Sequence, residues 1–270
     1  MTKPSHLEFE KASLSFGSER HLVETNPLRA LFYRWHGAVS VGDKVRAGYV
    51  FRALRPLLNA KTDLLPILDA GCGDGFYALR LARCYPRCQV TALDIDNVRI
   101  ERLTAIAARL ELDNLYPATQ NLLEMTESEV YDLIVCVDVL EHLEEDHEVV
   151  RRLARSLKPG GTLLAHTPQR DQRRYASPMP DYRIYGHVRE GYAPAELAKL
   201  LESAGLQPIR MCRTFGLLGS LAAELDERFR PCRPIWVCML PAILFFAALE
   251  PLTVPRRGNG VLIAARKLVG

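Results

Sequence analysis

From Leu64 onward the chain alternates two patterns. "LLPILDAG" is a short apolar run ending in turn residues, and "FYALRLARCY" behind it spaces its apolar positions by three and four, which predicts a strand and then a helix. "CQVTALDID" reads as a second strand and "VRIERLTAIAARLEL" as an amphipathic helix. "LYPATQNL" supplies a third strand and "YDLIVCVDVLEHL" holds the fourth. "EEDHEVVRRLARSL" is helical, and "KPGG" turns the chain into a fifth strand, "TLLAHTP". "AELAKLLESAGL" is a further helix closing at Gly205, and "QPIRMCRTF" and "GNGVLIAARKL" give two last strands. Strands that are almost continuously apolar, alternating with helices, imply a sheet covered on both faces. The fold class expected is therefore α/β, a doubly wound, mostly parallel sheet of seven strands. Ligands in such sheets sit beyond the carboxyl ends of the strands, so the residues just after each strand are the ones to inspect.

Two regions stand outside this alternation. Residues 1–60 read as an N-terminal helical cap, with Leu28, Leu31, Phe32 and Trp35, then Val45, Tyr49, Phe51, Leu54 and Leu57 at mixed three-four spacing. Two helices broken near Val41-Gly42-Asp43 are expected there. Residues 61–215 form the core, 216–257 an insert, and 258–270 return the last strand to the core. The insert carries "IWVCMLPAILFFAALEPLTV", interrupted by Pro241 and Glu250. Its unbroken part, Ile235 to Leu249, is 15 residues, short of the roughly 20 that span a bilayer. Arg228, Arg230 and Arg233 precede it and Arg256 and Arg257 follow. It reads either as a buried helical hairpin or homodimer face, or as a peripheral membrane contact through 235–249 with arginines at the headgroups.

Composition narrows the partners. A net charge of +3 does not announce nucleic-acid binding, and no dense basic patch interleaved with aromatics is present, so no nucleic acid is expected. The seven cysteines are scattered, with no paired C-x-x-C set, which argues against a zinc cluster and fits reduced thiols in a cytoplasmic protein. "MTKPSHLEFEKASLSF" has no apolar run of the kind a secretory signal needs.

The densest candidate chemistry is "ILDAGCGDGFYALRLA", where Gly71, Gly73 and Gly75 follow a strand and open a helix. Glycine lets such a turn close tightly and lets a ligand approach the backbone. No G-K-[ST] follows, which excludes a P-loop. Phe76 stands where the third glycine of a dinucleotide fingerprint belongs, and Asp69 and Asp74 suit a cationic ligand better than a pyrophosphate. Asp94 ends the second strand, nineteen residues after Gly75. A carboxylate there can accept both hydroxyls of a ribose, so the ligand carries a nucleoside.

"LDAGCGDGFYALRLA", "VTALDID", "YDLIVCVDVLEHL" and "SLKPGGTLLAHTP" resemble, in order and spacing, the motifs of class I S-adenosylmethionine-dependent methyltransferases over residues 64–214. "GHVREGYAPAELAKLLESAGL" resembles the segment before the sixth strand in the branch that holds quinone and other small-molecule methyltransferases. The resemblance implies S-adenosyl-L-methionine as cofactor, with Asp69, Gly71, Cys72 and Gly73 lining its methionine part and Asp94 on the ribose. It implies Ile95 packed on the adenine, Asn121 and Leu122 beside it where the family often has an acid, and Asp138 beside the methyl donor. The reaction would be in-line methyl transfer, driven largely by alignment of the reactants.

A hydroxyl acceptor needs a base, and the resemblance puts His142 of "DVLEHL" near the acceptor. Asp138, Glu141 and His142 resemble the E-x-x-E-H set that binds a divalent ion in some quinone and small-RNA methyltransferases; the first Glu is Asp here and no clear fourth ligand follows, so no metal is expected. "QRDQRRYASPMPDYRIYGHVREGY" reads as a polar loop over the site. From it Tyr182, Tyr185 and His187 can orient an acceptor, and Arg170, Arg173 and Arg174 can meet an anionic group. Tyr33 and His36 can cap the pocket from the N-terminal helices. The expected activity is methyl transfer to a small or lipid-linked hydrophobic acceptor, at oxygen, in the cytoplasm or at the inner face of the membrane. An NAD-dependent oxidoreductase and a non-catalytic cofactor-binding protein of the same fold are the alternatives.

Overall fold

The computed structural model describes residues 17–37, 40–60, 64–176, 178, 181–253 and 255–269, with the backbone alone at Trp35, His36, Ala60 and Pro251. Seven strands form one sheet in the order β3-β2-β1-β4-β5-β7-β6. They are β1 (Leu65–Ala70), β2 (Cys88–Asp94), β3 (Leu115–Thr119), β4 (Tyr131–Val137), β5 (Leu157–Pro168), β6 (Leu206–Thr214) and β7 (Gly260–Lys267). β7 runs antiparallel to both neighbours, and the other pairings are parallel. The sheet is thus the expected mixed, mostly parallel one. β1 lies between β2 and β4, where the strand order reverses, so the carboxyl ends of β1 and β4 face one crevice.

The helices are α1 (Pro27–His36), α2 (Val41–Ala60), α3 (Phe76–Cys84), α4 (Asn97–Arg109), α5 (Asp146–Ser156), α6 (Pro194–Ser203), α7 (Leu217–Phe229) and α8 (Arg233–Leu249). Each inner strand serves two cores because successive side chains point to opposite faces. On β4, Leu133 and Val135 join a cluster with α2, α3 and α4, whereas Ile134 and Cys136 join one with α5 and α6. Phe51, Leu54 and Leu58 of α2 are buried in the same cluster as the sheet, so this helix contributes to the core.

α1 ends at His36 and α2 opens at Val41, so the break comes earlier than the pattern predicts. Val41, Gly42 and Asp43 open α2 instead of separating the helices. A reciprocal cap explains the shift: the Ser40 N–H and hydroxyl both donate to Asp43 Oδ2 (2.9 and 2.7 Å), and the Asp43 N–H donates to Ser40 Oγ (3.0 Å).

The insert folds back as a hairpin of α7 and α8 against the start of α2. Ala222, Ile243 and Ala247 pack there with Val41, Val45 and Tyr49. Pro241 does not break α8 as expected. Its side chain and that of Val237, one turn earlier, face outward, so the missing hydrogen bond falls on the solvent side of the helix. Glu250, which interrupts the apolar run, is 1 % exposed. It accepts from Tyr49 Oη (2.7 Å), from the Gly219 N–H (2.9 Å) and from the Gly216 N–H, capping α7 and tying it to α2. Gly219 allows this approach, since a Cβ there would stand 2.7 Å from Glu250 Cγ. Asp226 makes the matching tie inside the hairpin, accepting from the Val41 N–H (3.1 Å), Trp236 Nε1 (2.8 Å) and Arg230. Among the described residues no helix is long and apolar enough to cross a membrane.

Candidate active site

The turn after β1 is a left-handed run, with φ of 71° at Gly71, 55° at Gly73 and 74° at Gly75. Packing demands glycine at its two ends. A Cβ on Gly71 would lie 2.5 Å from Val139 Cγ2, and one on Gly75 2.4 Å from Leu103 Cδ1. The Gly73 N–H donates to Asp94 Oδ2 (2.7 Å), while Asp94 Oδ1 accepts from the Asp96 N–H (2.9 Å). The carboxyl ends of β1 and β2 are thereby locked together. Ile95, the residue after β2, is 72 % exposed and offers an apolar surface.

Asp69 is buried and accepts from the Ala78 N–H in the first turns of α3 (3.0 Å). Burial, reinforced by Asp94 and opposed by that hydrogen bond, pushes its pKa up to about 7. Asn121 accepts from the Leu123 N–H (3.0 Å) and caps a short turn that begins at the buried Leu122. Arg20 and Arg102 both reach Asp74 Oδ1 (2.7 and 2.8 Å), so the segment Ser18–Leu22 lies over the glycine turn. A backbone cradle, a ribose-height carboxylate and an exposed aliphatic face fit the amino-acid and nucleoside parts of S-adenosylmethionine.

Beyond β4 and β5 a cavity of about 940 Å³ opens toward the insert. Asp138 lies on its wall in the left-handed region, φ 52°, and its carboxylate is held by Arg46 Nη2 (2.7 Å) and His166 Nδ1 (2.6 Å). Burial alone would raise its pKa; the Arg46 and His166 partners overcome that and hold it at about 2. His166 Nε2 faces Thr214 Oγ1 (2.9 Å). With its proton on Nδ1 toward Asp138, His166 accepts from Thr214 and has no lone pair left for other work.

His142 sits opposite, exposed on the cavity wall. Its Nδ1 faces the Gly186 carbonyl (3.0 Å), an arrangement that places the proton on Nδ1 and the lone pair on Nε2. The His187 ring meets it edge-on, centroids 4.6 Å apart. Burial, and then His142, lower the pKa of His187, which therefore stays neutral to more acidic pH than an ordinary histidine. Beneath them Glu141 is fully buried with neither carboxylate oxygen hydrogen-bonded, and burial with Asp138 beside it raises its pKa well above the ordinary value. Ligand atoms of Glu141, His142 and His187 lie within 4.8 Å of one another. They form a candidate ligand group other than the Asp138, Glu141 and His142 set that the resemblance suggested. Asp138 is outside it, engaged by Arg46 and His166.

The loop 169–192 is fastened at both ends. Arg189 and Tyr192 Oη converge on Asp146 Oδ2 (both 2.5 Å), and the Val188 N–H donates to the Glu141 carbonyl (2.9 Å). At the other end the Tyr175 and Ala176 N–H groups donate to Glu224 (2.9 and 2.7 Å to Oε2), and Arg174 and Tyr185 Oη meet Glu227 (2.5 and 2.8 Å). Tyr185, a candidate for chemistry, is thus a tie to α7, its pKa raised by burial and by Glu227. Two of the arginines expected to meet an anion are also committed, Arg174 to Glu227 and Arg170 to Glu196 (2.6 Å). Tyr182 lines the cavity and Tyr33 does not. The side chain of His36 lies outside the described residues.

The structure therefore brings His142, His187, Tyr185 and Asp138 to one cavity, and Asp69, Gly71, Cys72, Gly73 and Asp94 to the glycine turn, with Ile95 next after Asp94. Sequence reasoning missed Arg46, His166, Glu224 and Glu227. Only His166 carried a signal, a histidine at the carboxyl end of a central strand.

Comparison with known proteins follows this geometry. Residues 43–210 match the sequence model of a methyltransferase domain. A ubiquinone biosynthesis O-methyltransferase of Xanthomonas oryzae pv. oryzae is 31% identical over 206 residues, 69% of this chain and 81% of that protein. The N-methyltransferase NodS of Bradyrhizobium japonicum, solved with S-adenosyl-L-homocysteine, superposes with a TM-score of 0.53 at 20% identity, covering 94% of this chain and 98% of that one. The phosphoethanolamine N-methyltransferase 2 of Haemonchus contortus, solved with S-adenosyl-L-methionine, gives 0.60 at 15% identity over 84% of this chain and 57% of that one.

Proposed function

Because the chain belongs to the class I S-adenosylmethionine-dependent methyltransferases, we propose that it methylates an oxygen of a small or lipid-linked hydrophobic acceptor, with His142 taking the hydroxyl proton. The observation that carries this reading is the contact of His142 Nδ1 with the Gly186 carbonyl (3.0 Å) on the cavity wall, which favours the proton on Nδ1 and leaves Nε2 to accept one. The name of the Xanthomonas relative, an O-methyltransferase of ubiquinone biosynthesis, supports oxygen as the atom methylated.

S-Adenosylmethionine, when bound, supplies a sulfonium-activated methyl group. Gly71, Cys72 and Gly73 with Asp69 would hold its methionine part, Asp94 its ribose, and Ile95 with Asn121 and Leu122 its adenine. Phe215 and Tyr182 offer aromatic faces for an acceptor ring. Asp138, clamped by Arg46 and His166, holds a fixed negative charge at the junction of the two half-sites. His142 removes the proton as the acceptor oxygen attacks, and the neighbouring neutral His187 does not oppose the charge His142 then takes up.

The test is incubation of the protein with S-adenosylmethionine and a panel of catechols and polyprenylated phenols, followed by mass and NMR analysis of the product. Methyl ether formation that falls sharply in His142→Gln is expected. A methyl group found on nitrogen or carbon, or a His142→Gln variant with the full rate, would overturn the reading.

A further inference from the structure

An ordinary surface helix turns charged residues to solvent along its length, and α8 does so only at its first residue, Arg233. From Pro234 to Leu249 it has no charged side chain. Trp236, Leu240, Ile243 and Ala247 face inward, leaving Ile235, Val237 (59 % exposed) and Phe245 (60 % exposed) outward. α1 lies against α8 through the Phe32 and Trp236 rings, centroids 5.7 Å apart, and itself exposes Leu28 (78 %) and Leu31.

Along α1 and from Arg228 to Arg257 every exposed charge is an arginine. Between Arg228 and Arg257 the only acid is Glu250, which is buried; Arg228, Arg233, Arg256 and Arg257 are exposed, as are Arg29 and Arg34 on α1, which has no acid. Over the whole chain 35 basic residues nearly balance 32 acidic ones. The faces also adjoin the acceptor cavity, whose wall includes Pro231 and Arg233 at the start of α8 and Ser40 just after α1.

We propose that the outward faces of α8 and α1 seat the protein on an anionic lipid bilayer, with the acceptor cavity opening beside the seat. The apolar side chains enter the acyl boundary and the arginines meet lipid phosphates. A second copy fits this surface less well. A two-fold pairing opposes a patch to itself, so the arginine rims would meet like charge. The proposal rests on the preceding reading only in what the bilayer delivers, an acceptor carried on a lipid.

Flotation of the full chain with phosphatidylcholine vesicles, and with the same vesicles containing phosphatidylglycerol, tests it. Co-flotation with the anionic vesicles that weakens as salt rises is expected. Val237→Glu with Phe245→Glu should reduce it on the order of tenfold or more, with S-adenosylhomocysteine affinity unchanged as the check on folding. If that pair does not fold, Arg256→Glu with Arg257→Glu should reduce it through charge alone. A wild-type chain that stays at the bottom of the gradient, or variants that float as well as it does, would overturn the proposal. So would a stable dimer in light scattering that Phe245→Glu dissolves, which assigns the face to a second copy. Flotation reads no methyl transfer, so its failure leaves the oxygen-acceptor reading standing.

Discussion

At the cofactor end of the crevice, every candidate side chain sits within a few residues of a strand terminus: Asp69 to Gly73 around the end of β1, Asp94 and Ile95 at the end of β2, Asn121 and Leu122 after β3. At the acceptor end, Arg46 comes from α2, Asp138 from the end of β4, His166 from β5, His187 from the long loop, and Glu224 and Glu227 from α7. The first half-site is made of backbone geometry and short-range caps. The second is made of ion pairs between distant elements. One fold can therefore keep its methyl donor while its acceptor side is rebuilt around a new insert.

The sharpest break between the two halves should come at His142. His142→Gln should lower kcat by about 10²–10⁴ while S-adenosylhomocysteine affinity stays unchanged. Steady-state rates with calorimetry separate the two. The converse substitution, Gly71→Ala, forces a Cβ against Val139 at a left-handed position. About 2–4 kcal/mol of lost stability and no measurable cofactor binding are expected, read by denaturant unfolding and calorimetry.

A smaller effect should follow from Glu250→Ala, which leaves the Tyr49 hydroxyl and the Gly216 and Gly219 amides without their acceptor. It should cost on the order of 2–3 kcal/mol, seen as a Tm lower by roughly 4–12 °C. Acceptor KM should rise while cofactor affinity in the folded protein holds; equal loss of both would show that the halves are not independent.

The smallest effect is a pH dependence. Asp69, pushed up to about 7, is largely protonated below that pH, and a cationic ammonium beside it favours the carboxylate. Cofactor binding then expels a proton, so affinity should weaken by up to about tenfold per pH unit below 7 and level off above it. Asp69→Asn should flatten that slope. The measurement is calorimetry across the range in buffers of different ionisation enthalpy.

The alternation of apolar runs made the sheet legible, down to its seven strands, since buried strands and amphipathic helices write their periods into the chain. The glycine turn and Asp94 were legible for the same reason, being local. The break between α1 and α2 was misplaced because the glycine at 42 looked like a stop, whereas the Ser40–Asp43 cap starts a helix before it. Pro241 and Glu250 looked like interruptions of the greasy segment. In three dimensions one sits harmlessly on the outer face of α8 and the other buries its charge on α7 and Tyr49.

By itself, then, the sequence determined the α/β sheet and the glycine turn with Asp94 beside it. Both depend on contacts between near neighbours or on repeating burial, and each residue's type reports its role. Tertiary structure alone decided that Arg46, Asp138, His166 and Thr214 form one hydrogen-bonded chain, that Arg174 and Tyr185 are spent on Glu227, and that the polar edge of the insert walls the acceptor cavity while its apolar face stays outside. An ion pair between two helices or strands far apart in the chain has no period and no spacing. It exists only once folding has paired the elements that carry its two ends.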